Sequence, residues 1–84
     1  MQICFITFRS VTPAQRAEQL LRREGFICHI RRTPRWMESK GCGYALQVRL
    51  SDVVDAVKAL SREAISYRKV YLLGDHGRAE EMTL

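Results

Sequence analysis

FICHIRRTPRWMESKGCGYALQVRL, residues 26–50, holds two extended runs with no helical pattern between them. In the first run, residues 26–32, Phe26, Cys28 and Ile30 alternate with Ile27, His29 and Arg31, the period-2 rhythm of a strand. The second run, residues 44–50, sets Tyr44, Leu46 and Val48 on one side. Between them TPRWMESKGCG carries the proline, glycine and charge of a loop.

Upstream, SVTPAQRAEQLLRREG reads as an amphipathic helix with Ala14, Ala17, Leu20 and Leu21 on one face. Thr12 is the expected cap, Pro13 suits the first turn and Gly25 is the stop. Before it QICFITF, residues 2–8, is rich in β-branched and aromatic residues and free of breakers, a strand. Downstream, SDVVDAVKALSREA is a second helix, capped by Ser51, with Val53, Val54, Val57 and Leu60 as its apolar stripe. ISYRKVYLL, residues 65–73, is the last expected strand, and GDHGRAEEMTL, residues 74–84, has no periodicity and reads as a flexible tail.

The order β-α-β-β-α-β predicts an α+β, ferredoxin-like domain over residues 1–73: a four-stranded antiparallel sheet with two helices on one face. Right-handed crossovers place strand two beyond strand three from strand one. Strands one and two then run the same way. The loop after strand two is thereby expected at the sheet edge where the first helix starts, with Cys42 near Arg9, Ser10 and the amides around Thr12 to Ala14.

Eighty-four residues suffice for one small core, and a hydrophobic fraction of 46% argues for a globular chain. No apolar run approaches the ~20 residues that cross a bilayer. The N-terminal MQICFITF lacks the basic and apolar regions of a signal peptide, so a cytoplasmic protein is expected. Three cysteines, Cys4, Cys28 and Cys42, form no CxxC pair and no metal-ligand spacing with His29 or His76. Free thiols, no metal centre and no cofactor are the expectation. The net charge of +5 describes a field rather than a partner.

Cys42 stands between Gly41 and Gly43, which strip side-chain cover from the thiol. A helix N-terminus with Arg9, Arg35 and Lys40 around it would stabilise a thiolate. The same surroundings suit an anion-binding turn with no cysteine chemistry, or a turn in which Cys42 merely fills space. Cys4 and Cys28 lie in apolar strands and read as buried spectators. His29 is expected on the open side of the sheet. No Ser/His/Asp set, no converging carboxylates and no glycine-rich phosphate loop are apparent, so the chain does not read as an enzyme.

FITFRS, the helix containing AEQLLRREG, TPRWMESKGCGYAL and the short valine-rich helix together resemble the family described as putative selenium/sulfur carrier-like proteins. The likeness runs to about residue 73, and its most specific part is the Pro34-Arg35 turn leading into Gly41-Cys42-Gly43 and an apolar strand. The family usually has SSGCG there; this chain has ESKGCG, so Lys40 replaces a small hydroxyl residue and a serine role does not carry over. The resemblance implies that Cys42 accepts sulfur or selenium as a persulfide or selenopersulfide. A desulfurase-like donor would load it and an acceptor protein would unload it.

Two other readings compete. A small non-catalytic ligand- or partner-binding module would use the basic loop for anions, and an open face showing Ile3, Phe5, Ile27 and Tyr71 would favour a homodimer. RNA-binding sheets of this shape stack bases on central aromatics. The third strand offers Gln47 and Arg49 instead, so nucleic acid is not an expected partner.

Overall fold

The computed structural model describes residues 2–32, 43–73 and 79–82. Among the described residues, five strands and two α-helices follow in the order β1 (Ile3–Phe8), α1 (Val11–Arg23), β2 (Cys28–Arg32), β3 (Tyr44–Arg49), α2 (Val53–Arg62), β4 (Val70–Leu73) and β5 (Ala79–Met82). The strands form one antiparallel sheet in the order β2-β3-β1-β4-β5.

Alternation decides the faces. Cys4, Ile6 and Phe8 of β1, Leu46 and Val48 of β3, Cys28 of β2 and Val70 of β4 form one buried cluster with both helices. α1 adds Ala14, Ala17, Leu20 and Leu21, and α2 adds Val53, Ala56, Val57, Ala59 and Leu60. On the opposite face Phe5 and Ala45 form a smaller buried cluster with Ile3, Tyr71 and Leu73 against it. Phe5 is therefore not the exposed residue expected there: its neighbours across β3 and β4 leave it 9% accessible.

Several boundaries differ from expectation. Ser10, not Thr12, occupies the N-cap of α1, with extended backbone and no side-chain cap bond. Pro13 falls third in the helix, among the amides that have no partner inside it, so its missing N–H costs nothing. Asp52, not Ser51, precedes α2; a 3₁₀ turn, Leu50–Asp52, leads in, and Arg49 Nη2 pairs with Asp52 Oδ2 at 3.0 Å. Val54 is 48% exposed, because the buried face of α2 turns through Ala56 and Ala59 instead.

Both helices end alike. The Phe26 amide donates to the Leu21 carbonyl and Gly25 to Arg22; Ile65 donates to Leu60 and Ala64 to Ser61. This is the Schellman pattern, which needs a left-handed residue. Gly25 supplies it at φ 93°, and Ala64 at φ 55°.

The sheet has five strands rather than four. Residues 79–82 lie within the stretch expected to be a tail, yet pair with β4 from Val70↔Met82 to Leu73↔Ala79. Local pattern could not show this, since the acidic run Ala-Glu-Glu-Met has little strand preference of its own. Pairing supplies the reason: β5 satisfies one side of β4, Met82 joins the main cluster, and Lys69 Nζ lies 3.4 Å from Glu81 Oε1. The expected strand over residues 65–73 shortens to Val70–Leu73: Ile65 bonds back to Leu60 at the end of α2, and Arg68 and Lys69 both bond to Thr7.

Candidate functional site

β1 and β2 both run antiparallel to β3, so they point the same way. The C-terminal end of β1, the end of β2 and the start of β3 therefore meet at one sheet edge. Phe8 pairs with Tyr44, and Arg32 pairs with the same Tyr44 from the other side. Gly43, buried, lies one residue beyond that pair, toward Arg9. Arg9, Ser10 and Thr12 are exposed where α1 begins. Cys42, Pro34, Arg35, Lys40 and Gly41 lie outside the described residues. Of the expected site, then, the fold brings Arg9, Ser10, Thr12 and Gly43 to one edge.

Among the described residues, the charge at that edge is one-sided. The first turn of α1 holds no acidic side chain, while Arg22 and Arg23 sit in its last turn. Positive partial charge at the helix start is left without a carboxylate on its own turn. Arg9 and Arg32 add full charges nearby.

Sequence reading missed the segment before β4. Thr7 faces two residues, not one: its amide donates to the Lys69 carbonyl at 2.8 Å, and its carbonyl accepts from the Arg68 amide at 2.7 Å. Two against one is the count of a β-bulge. The Thr7 hydroxyl, 1% accessible, accepts from the Lys69 amide at 3.0 Å and lies 3.2 Å from the Lys69 carbonyl. A cavity of about 530 Å³ opens there, lined by Arg9, Ser66, Tyr67, Arg68 and Lys69. The adjacent cations Arg68-Lys69 were the available signal. A regular strand over residues 65–73 would set the two on opposite faces.

The family described as "Putative Se/S carrier protein-like" matches residues 3–72. The chain belongs to this family. No curated protein and no solved structure matches it.

The family match spans all three cysteines, and the structure separates two of them. Cys4 and Cys28 are buried and free. Burial pushes the Cys4 thiol above its ordinary value. Burial does the same to Cys28, opposed by the hydrogen bond and charge of Arg22 and reinforced by Glu18. The Cys4 Sγ rests 3.7 Å from Met82 Sδ, and Cys28 Sγ 3.9 Å from the Glu18 carbonyl. A protonated, covered thiol is a poor nucleophile. No group of three metal-ligating side chains occurs among the described residues, and none of their helices is long and apolar enough to cross a membrane.

Proposed function

We propose that the protein is a non-enzymatic carrier that accepts sulfur or selenium on Cys42 and hands it to an acceptor protein. The observation that carries this reading is the family match over residues 3–72, a span that includes Gly41-Cys42-Gly43. Two features support it. Gly43, the residue after Cys42, sits at the basic edge where α1 begins, and the other two cysteines are buried.

Loading is a thiol exchange. The Cys42 thiolate attacks the terminal sulfur of a donor persulfide; a new S–S bond forms, the donor's S–S bond breaks, and the donor cysteine leaves as thiolate. The proton stays on the transferred sulfur and no net oxidation occurs. A selenopersulfide follows the same balance. The acceptor's thiolate repeats the attack and frees Cys42. Arg9, with Arg35 and Lys40 from the loop, would stabilise the anionic sulfur, and a desulfurase-like enzyme in the cytoplasm is the donor class this chemistry needs.

Mass spectrometry after incubation with such a donor and cysteine or selenocysteine tests the reading. One sulfur or selenium atom should appear on Cys42. Cys42→Ser should abolish loading, while Cys4→Ser and Cys28→Ser load normally and lose stability. Undiminished loading of Cys42→Ser ends the proposal. A second reading, a ligand- or partner-binding module with no carrier chemistry, is favoured by the donor-lined cavity beside Arg9. Two copies would pair through the open face around Ile3, Ile27 and Tyr71, and sedimentation at monomer mass removes that part.

A further inference from the structure

β5 is held to the sheet by its backbone pairing with β4 and by one apolar side chain. Glu80 and Glu81 are exposed, and the ion pair of Glu81 with Lys69 is half-exposed on both sides, a surface pair of little worth. Among the described side chains of β5, Met82 is the one that packs against the main core cluster. It is half-buried, pairs with Val70, and sets its Sδ 3.7 Å from the Sγ of Cys4, a fully buried thiol. Met82 is thus both the anchor of an edge strand and part of the cover over Cys4. A thioether suits that place, being apolar and at most a weak acceptor. A sulfoxide does not: its oxygen is a strong acceptor, and the partner set against this sulfur is a thiol, a weak donor.

We propose that β5 is an oxidation-released strap: conversion of Met82 to its sulfoxide by hydrogen peroxide detaches the strand, frees the edge of β4 and uncovers Cys4. The thioether sulfur attacks one peroxide oxygen; an S–O bond forms and the O–O bond breaks. The leaving oxygen takes the proton of the transferred one and departs as water. The sulfur is oxidised by two electrons and the peroxide reduced by two. Short edge strands open locally at little cost, which gives the oxidant its access. The change is reversible, because methionine sulfoxide is reduced enzymatically. Cys28 is the internal control: it lies in β2 at the far side of the sheet, against the Glu18 carbonyl of α1, where β5 gives no cover. The strap does not depend on a reactive Cys42.

Hydrogen exchange and thiol alkylation of the intact chain test the strap, after hydrogen peroxide and then a dithiol that returns sulfenic acids and disulfides to thiols. Mass spectrometry of the same sample reads the sulfoxide on Met82. Amide exchange across Val70–Leu73 and alkylation of Cys4 should each quicken ~5-fold or more, while Cys28 keeps its rate. Methionine sulfoxide reductase should restore both rates. Met82→Leu keeps an apolar anchor with no oxidisable sulfur, and peroxide should change its rates less than ~2-fold. Met82→Gln puts a polar group at the same place and should show the fast rates without oxidant. A Met82 left unoxidised where free methionine is oxidised, unchanged β4 exchange in the sulfoxide form, equal quickening in Met82→Leu, or equal uncovering of Cys28 overturns the proposal. Cys42→Ser should respond as the unaltered chain does, so failure here and failure of the carrier reading remain distinguishable.

Discussion

Ala64 and Gly25 hold the same place at the ends of two helices, and only one is a glycine. A left-handed L-residue costs roughly 1–2 kcal/mol, partly offset by the extra chain entropy a glycine loses on folding. Ala64→Gly should therefore stabilise the protein by about 0.5–1 kcal/mol. Gly25→Ala should destabilise it by about 1 kcal/mol through backbone strain alone, since an added Cβ would meet nothing within 4 Å. Urea unfolding of the two variants checks both signs at once. Thr7 presents the opposite case, a buried polar group fully used. Thr7→Val keeps the shape but leaves the Lys69 amide without its acceptor, and should cost about 1–3 kcal/mol.

The buried thiols make a further prediction. Their folded-state values lie above the ordinary 9.0, so the folded protein holds these protons to higher pH than the unfolded chain does. The stability they contribute is whole below about pH 9.0 and is lost as pH rises through their folded values. Unfolding free energy measured from pH 8 to pH 11, on a roughly one-unit grid around that ordinary thiol value, should fall toward the alkaline end. It should fall less steeply in Cys4→Ala. An equal slope in the variant would show that other groups set the alkaline limit.

Among elements, the two sheet edges are managed differently. β2 ends the sheet on one side, and α1 reaches over it. Glu18 Oε2 accepts the Ile30 amide at 3.2 Å, and Arg22 Nη2 donates to the Cys28 carbonyl at 3.1 Å. The two side chains are 3.5 Å apart, an i,i+4 pair whose surface charge attraction alone would be worth little. Its use lies in occupying backbone groups that another strand would otherwise recruit. Glu18→Ala should speed hydrogen exchange at Ile30 by ~5-fold or more, as losing about 1 kcal/mol of protection does. On the other side β5 protects β4, and Met82 touches the main core. Met82→Ala should destabilise by about 1–2 kcal/mol, below a fully buried methionine because Met82 is only half-buried.

At the scale of the whole molecule, strand succession, helix faces and the placement of β2 beyond β3 were legible because each rests on local periodicity plus the handedness of crossovers. The expectation that Cys42 lies near Arg9, Ser10 and Thr12 followed from that order alone; Cys42 is outside the described residues, and its neighbour Gly43 is found at that edge. Cys4 and Cys28 could be called buried from alternation, and Cys42 singled out from its two glycines. Three things had no local signature. β5 exists because β4 has a free side to pair, and its own acidic sequence argues against a strand. The cover over Phe5 comes from Tyr71, Ala45 and Leu73, residues brought from distant segments. The bulge that joins Arg68 to Lys69 in one cavity depends on a hydroxyl 62 residues earlier in the chain. Periodicity and covalent order are properties of neighbours along the chain, so the sequence by itself determined the two helices, the first four strands and the edge that β1, β2 and β3 share. Which free edges are filled, which apolar side chains are covered and where a strand bulges depend on groups remote in sequence, and only the tertiary structure decided them.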